Sequence, residues 1–127
     1  LYLSLDGFDE RFFVYFDEVD FTVRAKNIGW YSVYLSGAEA FHLGGGSSDQ
    51  VKAERVFYSA RSRILYVFKH FSAPGVLIVL FVTLCIEPIT RSVLALSMGS
   101  IVSFKESLRA NWMLYRWLFR YKFGEKK

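Results

Sequence analysis

Seventeen consecutive residues, His70 to Ile86, contain no Lys, Arg, Asp or Glu, and this run limits the possible folds more than any other feature of the chain. A bilayer core takes roughly 17 to 25 apolar residues in a helix, so the run sits at the lower edge of a span. Pro74 suits a first helical turn, and Glu87-Pro88 is predicted to end the helix. The apolar character resumes from Ile89 to Phe104, but Arg91, five Ser or Thr and Gly99 interrupt it. That pattern fits a segment lying in or on a membrane, as half of a re-entrant hairpin or a surface helix, better than a clean span. From Lys105 to Lys127, seven bases alternate with Trp112, Tyr115, Trp117, Phe119, Tyr121 and Phe123. Rings at headgroup level beside bases that meet anionic lipid have this composition, and so does a partner-binding helix.

Charge divides the chain. Residues 1–50 hold eight acids and three bases, and residues 51–127 hold thirteen bases and four acids. An acidic first half argues against a nucleic-acid surface there, and the bases of the second half flank long uncharged stretches instead of forming one groove. Cys85 is the one cysteine, which leaves no disulfide or cysteine-based zinc cluster; within an apolar run it reads as a buried, inert thiol. At 127 residues one domain is expected. The opening LYLSLDGFDE has neither a start methionine nor a leader pattern, so a fragment lacking its N-terminus is expected.

The residues from Gly7 to Ser48 carry the candidate chemistry. Asp6-Gly7 reads as a turn, and Phe8, Phe12, Phe13, Tyr15 and Phe16 as buried mass. Asp17 is placed to cap a helix through Ile28, with Asp20 near a capping-box position and Gly29 as the C-terminal stop. Local physics therefore reads Asp17, Glu18 and Asp20 as helix-start acids, favoured by the dipole. Trp30–Leu35 and Ala38–Leu43 read as short strands, with His42 at the end of the second. The loop Gly44 to Ser48 can present backbone amides to phosphate, although such loops also serve as plain linkers. A helix is predicted from Val51 to Phe71, on which Arg61 and Arg63 form either a solvated face or a diphosphate grip.

The order Gly7-Phe8-Asp9-Glu10-Arg11-Phe12-Phe13, Tyr15-Phe16-Asp17-Glu18-Val19-Asp20-Phe21, Arg24-Ala25, Gly29-Trp30, then His42 before Gly44-Gly45-Gly46-Ser47-Ser48, resembles the C-terminal half of family 2 glycosyltransferases of the rhamnosyltransferase-like branch. The likeness continues through Tyr58 to Arg63 and Lys69-His70. It implies an α/β fold: the C-terminal part of a GT-A Rossmann-like domain over residues 1–71, followed by membrane-associated helices over 72–127. It also implies an enzyme that moves a sugar, with inversion, from a nucleoside-diphosphate donor to a saccharide or lipid-linked acceptor at the cytoplasmic face of the cell membrane, in bacterial surface polysaccharide synthesis. Within it, Glu18 would be the base with Asp17 beside it, and Asp20 and Trp30 would meet the acceptor. Gly45, Gly46, Ser47, Ser48, Arg61 and Arg63 would hold the diphosphate, and His42 a divalent cation, Mg or Mn. Many relatives carry Glu-Asp where this chain has Asp17-Glu18, and the metal and nucleotide motifs of the family are expected upstream, so this stretch alone is expected to be inactive. The competing class is a non-catalytic helical module that binds a membrane or a partner.

Overall fold

The computed structural model describes residues 1–41 and 52–121. Among the described residues all regular structure is helical: a 3-10 turn Leu3–Leu5, then α1 (Asp17–Asn27), α2 (Lys52–His70), α3 (Ala73–Phe81), a π-helical turn Val82–Ile86, α4 (Glu87–Ser97) and α5 (Ile101–Arg120). This overturns the expected α/β fold. Trp30–Leu35 and the described part of the second expected strand, Ala38 to Phe41, form no strand and are exposed, and residues 42–43 lie outside the described residues. A strand is stable only where a neighbour takes its N–H and C=O groups, and among the described residues none lies alongside, whatever the β-propensity of Trp30 to Leu35.

Asp17 is the first residue of α1, not its cap. The cap position falls to Phe16, which is left-handed and gives no side-chain hydrogen bond. The other end follows expectation, because Gly29 at φ +89° lets its N–H reach the Lys26 carbonyl and that of Trp30 reach Ala25, the paired bonds of a Schellman stop. The Asp6-Gly7 turn also forms, with Gly7 buried at φ +69°. Of the aromatics read as buried mass, only Phe12 is; Phe8 and Phe13 are exposed.

The core lies where α2 meets α5 and α3. Ala60, Ile64 and Leu114 form its centre, with Phe57, Leu80, Leu84, Trp117 and Leu118 against them. Ala53, Ala60, Ile64 and Val67 hold one stripe of α2 at helical spacing, and this stripe takes the helix into the core.

Pro88 does not end the helix. Ala73–Ser97 runs as one unbroken helix of 25 residues, long and apolar enough to cross a membrane and only 6% buried over its apolar window. A proline deprives the carbonyl four residues earlier of its donor. That carbonyl is Leu84, and the Tyr115 hydroxyl of α5 donates to it at 2.6 Å. The π turn just before, in which the Glu87 N–H reaches the Val82 carbonyl, is the local widening that accommodates such a break. Cys85, on this helix, is exposed and not buried, because the core takes the opposite side through Leu80 and Leu84.

One stability prediction follows from Gly7. An added Cβ there would stand 2.8 Å from the Tyr2 hydroxyl oxygen at φ +69°, whereas at Gly29 nothing lies within 4 Å. Gly7→Ala should cost roughly 1–3 kcal/mol, from backbone strain plus the clash, and more than Gly29→Ala, where strain acts alone. Thermal unfolding of both variants in the same detergent checks the order.

Candidate active site

Asp17 and Glu18 open α1 behind two consecutive residues, Tyr15 (φ 64°) and Phe16 (φ 67°), in the left-handed region. Each such non-glycine residue costs roughly 1–3 kcal/mol and persists only where its surroundings hold it. Those surroundings can be named. Ser62 of α2, fully buried, donates to the Val14 carbonyl at 2.7 Å. The Phe16 ring packs on Tyr66 at 5.3 Å, and Phe13 on Tyr58 at 4.8 Å. The Asp20 N–H donates to the Phe16 carbonyl at 2.8 Å.

Asp20, one turn along α1 from Asp17, is the centre of an ion cluster. Its side chain is fully buried, one oxygen meeting Lys69 Nζ at 2.6 Å and His70 Nε2 at 2.7 Å, the other accepting from Arg24 Nε at 2.7 Å. Lys69 also meets Asp9 at 2.6 Å, and Asp9 takes Arg11 at 2.6 Å. Arg24 also donates through Nη1 and Nη2 to the Leu5 and Gly7 carbonyls, at 2.6 and 2.8 Å. The cluster thus fastens the N-terminal loop and α1 to the end of α2. Burial alone would raise the Asp20 carboxyl, but hydrogen bonds from Lys69, His70 and Arg24 outweigh it and hold its pKa below the ordinary range. Asp9 is held well below that range, first by Arg11 and then, against burial, by Lys69.

Glu18 behaves oppositely. It is exposed, and its pKa is raised above that of an ordinary glutamate first by hydrogen bonding with Asp17 and then, against a backbone hydrogen bond that lowers it, by partial desolvation and the neighbouring charge. A carboxylate beside a second acid is harder to keep ionised and is therefore a better proton acceptor than an isolated one.

The other expected residues stand apart from this pair in what they bond. Trp30 borders a small cleft with Phe21, Thr22 and Ala25 along α1. Arg63 donates to Glu87 at 2.6 Å, and Arg61 lies 5.6 Å from the Trp117 ring centroid and donates to the Arg11 carbonyl at 3.4 Å. His42, Gly45, Gly46, Ser47 and Ser48 lie outside the described residues. Among the described residues no group of three His, Cys, Asp or Glu side chains is placed to hold a metal. Sequence reasoning gave Asp9, Arg24, Lys69 and His70 no role; the visible signal was Arg24 four residues after Asp20, the spacing of a helical ion pair.

Comparison with known proteins adds a direction. Two proteins named N-acetylglucosaminyl-diphospho-decaprenol L-rhamnosyltransferase, from Mycobacterium tuberculosis strains CDC 1551 / Oshkosh and ATCC 25618 / H37Rv, are each 37% identical over 65 residues. The similarity is to a glycosyltransferase. It covers 51% of this chain and 20% of either relative, so the match takes in about a fifth of their length. No family model matches, and no solved structure does.

Proposed function

We propose that this chain is the acceptor-side part of a membrane-associated glycosyltransferase that moves a sugar from a nucleoside-diphosphate donor, with inversion, to a lipid-linked saccharide at the cytoplasmic face of the cell membrane. The observation that carries the reading is the acid pair. Asp17-Glu18 is presented at a helix start behind two strained aromatics and one turn before the fully buried Asp20 of an ion cluster, and strain kept in place by so much supporting structure gathers at working sites. Glu18, its pKa raised, takes the proton of the acceptor hydroxyl as that oxygen attacks the anomeric carbon. The helix dipole at the start of α1 favours the carboxylate that this step needs.

Membrane association is supported by the apolar helix. Leu77, Ile78, Phe81, Ile89 and Val93 are each about 60% exposed along Ala73–Ser97, an apolar surface that water disfavours and lipid accepts. A divalent cation beside the donor diphosphate belongs to the same reading, with His42 as its ligand from this chain. The described residues offer no complete ligand set.

The test uses the full-length protein in membranes, supplied with nucleoside-diphosphate sugars and a polyprenyl diphosphate carrying N-acetylglucosamine. The expected result is a disaccharide lipid whose new linkage has the anomeric configuration opposite to the donor's. Retained configuration would overturn the inverting mechanism. Absence of transfer from every donor would overturn the function and leave the non-catalytic module.

A further inference from the structure

Ala73–Ser97 and α5 form an antiparallel hairpin whose two arms meet at three levels. At the turn the Ser100 N–H donates to the Ala95 carbonyl at 2.9 Å. Midway the Tyr115 hydroxyl donates to Leu84, and further along Leu80 and Leu118 join the same core. One face of the hairpin is covered by α2, where Ala53 bonds Glu106, Glu54 bonds Arg109, Arg61 lies over Trp117 and Arg63 bonds Glu87. The opposite face is exposed.

On that open face α5 presents two rows side by side. Ile101, Leu108, Trp112, Tyr115 and Phe119 follow one another at steps of seven, four, three and four, the spacing of a single stripe. All five are exposed, Trp112 at 66% and Phe119 at 94%. Lys105, Arg109, Arg116 and Arg120 form the neighbouring stripe. Two bonds fix which row lies where. Tyr115 reaches the apolar helix, so the apolar row continues the exposed side chains of Ala73–Ser97, among them Ile78, Phe81 and Val93. Arg109 reaches Glu54 of α2, so the basic row stands along the other edge. Lys105, Arg116 and Arg120 are exposed and have no carboxylate partner among the described residues.

The hairpin limits how it can meet a bilayer. If Ala73–Ser97 crossed, α5 beside it would cross too. Arg116 follows the residue that touches Leu84 at the middle of the apolar helix, so it would stand near the bilayer centre without a counter-charge, a position that is strongly disfavoured. Laid flat, the same hairpin sets its apolar rows at the acyl boundary, its rings and the stems of its bases at headgroup level, and its charges in water. A second copy packed row to row would bring like charges together, because Glu106, the one acid of α5, is turned to α2. An anionic lipid surface complements the basic row instead.

We infer that the hairpin lies in the plane of an anionic lipid surface and that Ala73–Ser97 does not cross it. Ile101, Leu108, Trp112 and Phe119 of α5 insert beside the apolar helix, Lys105, Arg116 and Arg120 meet the headgroups, and α2 stands on the aqueous side. The inference rests on the membrane association proposed above and not on sugar transfer.

Two measurements on the full-length protein test it. In the first, Ser72→Cys and Ser97→Cys, at the two ends of the apolar helix and both exposed, are each placed on a cysteine-free background. Sealed inside-out and right-side-out membrane vesicles from expressing bacterial cells are then treated with a membrane-impermeant maleimide. Both positions should label in inside-out vesicles and neither in right-side-out ones. Labelling of the two ends from opposite sides would show a span and overturn the inference while leaving membrane association intact. In the second, flotation at low salt measures partition of the purified protein onto vesicles of phosphatidylcholine alone or mixed with phosphatidylglycerol. Lys105→Gln/Arg116→Gln/Arg120→Gln should lose roughly 10²-fold on the mixed vesicles and little on phosphatidylcholine. Trp112→Ser/Phe119→Ser should weaken partition on both, and all five positions are exposed, so each variant should keep the parental helical circular dichroism. Parental partition in both variants would overturn the α5 contact. Parental partition in Trp112→Ser/Phe119→Ser, with a dimer turned monomeric in analytical ultracentrifugation, would assign the apolar row to a second copy and overturn it likewise. A parent that floats with neither vesicle would overturn the membrane association itself.

Discussion

If Glu18 is the base proposed above, replacing it by Gln in the full-length protein should reduce sugar transfer by roughly 10²- to 10⁴-fold, the range expected when a general base is removed, with little change in donor binding. The carboxamide keeps the shape and removes the basic oxygen. Asp17→Asn offers the sharper control, because the raised pKa of Glu18 is caused first by its hydrogen bond to Asp17. With Glu18 as the proposed base its ionised form does the work, so rate should be lost as pH falls through its pKa. With Asp17 replaced, that pKa drops toward the ordinary glutamate value and the acid limb of the rate profile should move to lower pH. The check is a pH–rate profile of the parent and both variants with the same acceptor lipid. Parental rates in Glu18→Gln would remove Glu18 from the chemistry. An unmoved acid limb in Asp17→Asn would separate the pair.

The largest stability effect is expected at Asp20. Breaking a buried ion pair by removing one charge costs about 3–5 kcal/mol, because the partner charges stay desolvated. Asp20→Asn leaves Lys69, His70 and Arg24 around a neutral amide in a fully buried position. Lys69 keeps Asp9 and Arg24 keeps two carbonyls, which places the expected loss toward the lower end. The pH dependence has a definite sign. The folded pKa of Asp20, like that of Asp9, lies below its unfolded value, so their stabilisation is complete above about pH 4 and is lost as pH falls below it. Asp20→Asn should flatten this acid slope. Detergent-phase thermal unfolding of parent and variant between pH 7 and pH 3 measures both quantities, and a loss under about 1 kcal/mol would show the cluster to be a surface feature.

The same residues show how much the sequence could disclose. The Schellman stop at Gly29 and the run of α2 were legible because each depends on residues within one or two turns. The role of Asp20 was not, since Lys69 and His70 are about fifty positions away; a buried carboxylate and a helix-start carboxylate look alike in sequence. Pro88 was read as a stop for the same reason, because the hydroxyl that relieves Leu84 comes from Tyr115, thirty-one positions on. The α/β expectation came from resemblance, and strand propensity in residues 30–41 has no partner among the described residues to act on. Asp17-Glu18 was located correctly at the start of α1 by spacing alone. The left-handed Tyr15 and Phe16 that present it left no mark in the sequence, because aromatic residues are poor candidates for that conformation.

Glu87 interrupts the apolar helix a little past its middle, and both of its oxygens are occupied, one by Arg91 on the next turn and the other by Arg63 of α2. Isolated charge is costly in hydrocarbon and is kept there only in pairs. Since Arg63 belongs to the helix whose far end carries the Asp20 cluster, the bridge fixes the apolar helix in both rotation and height relative to the acid pair. Sliding by one residue turns a helix through about 100° and would carry Glu87 away from Arg63. On the membrane-associated glycosyl-transfer reading proposed above, this bridge, together with Leu80 and Leu84 in the core, would hold Asp17-Glu18 at a fixed height over the lipid and act as a depth stop.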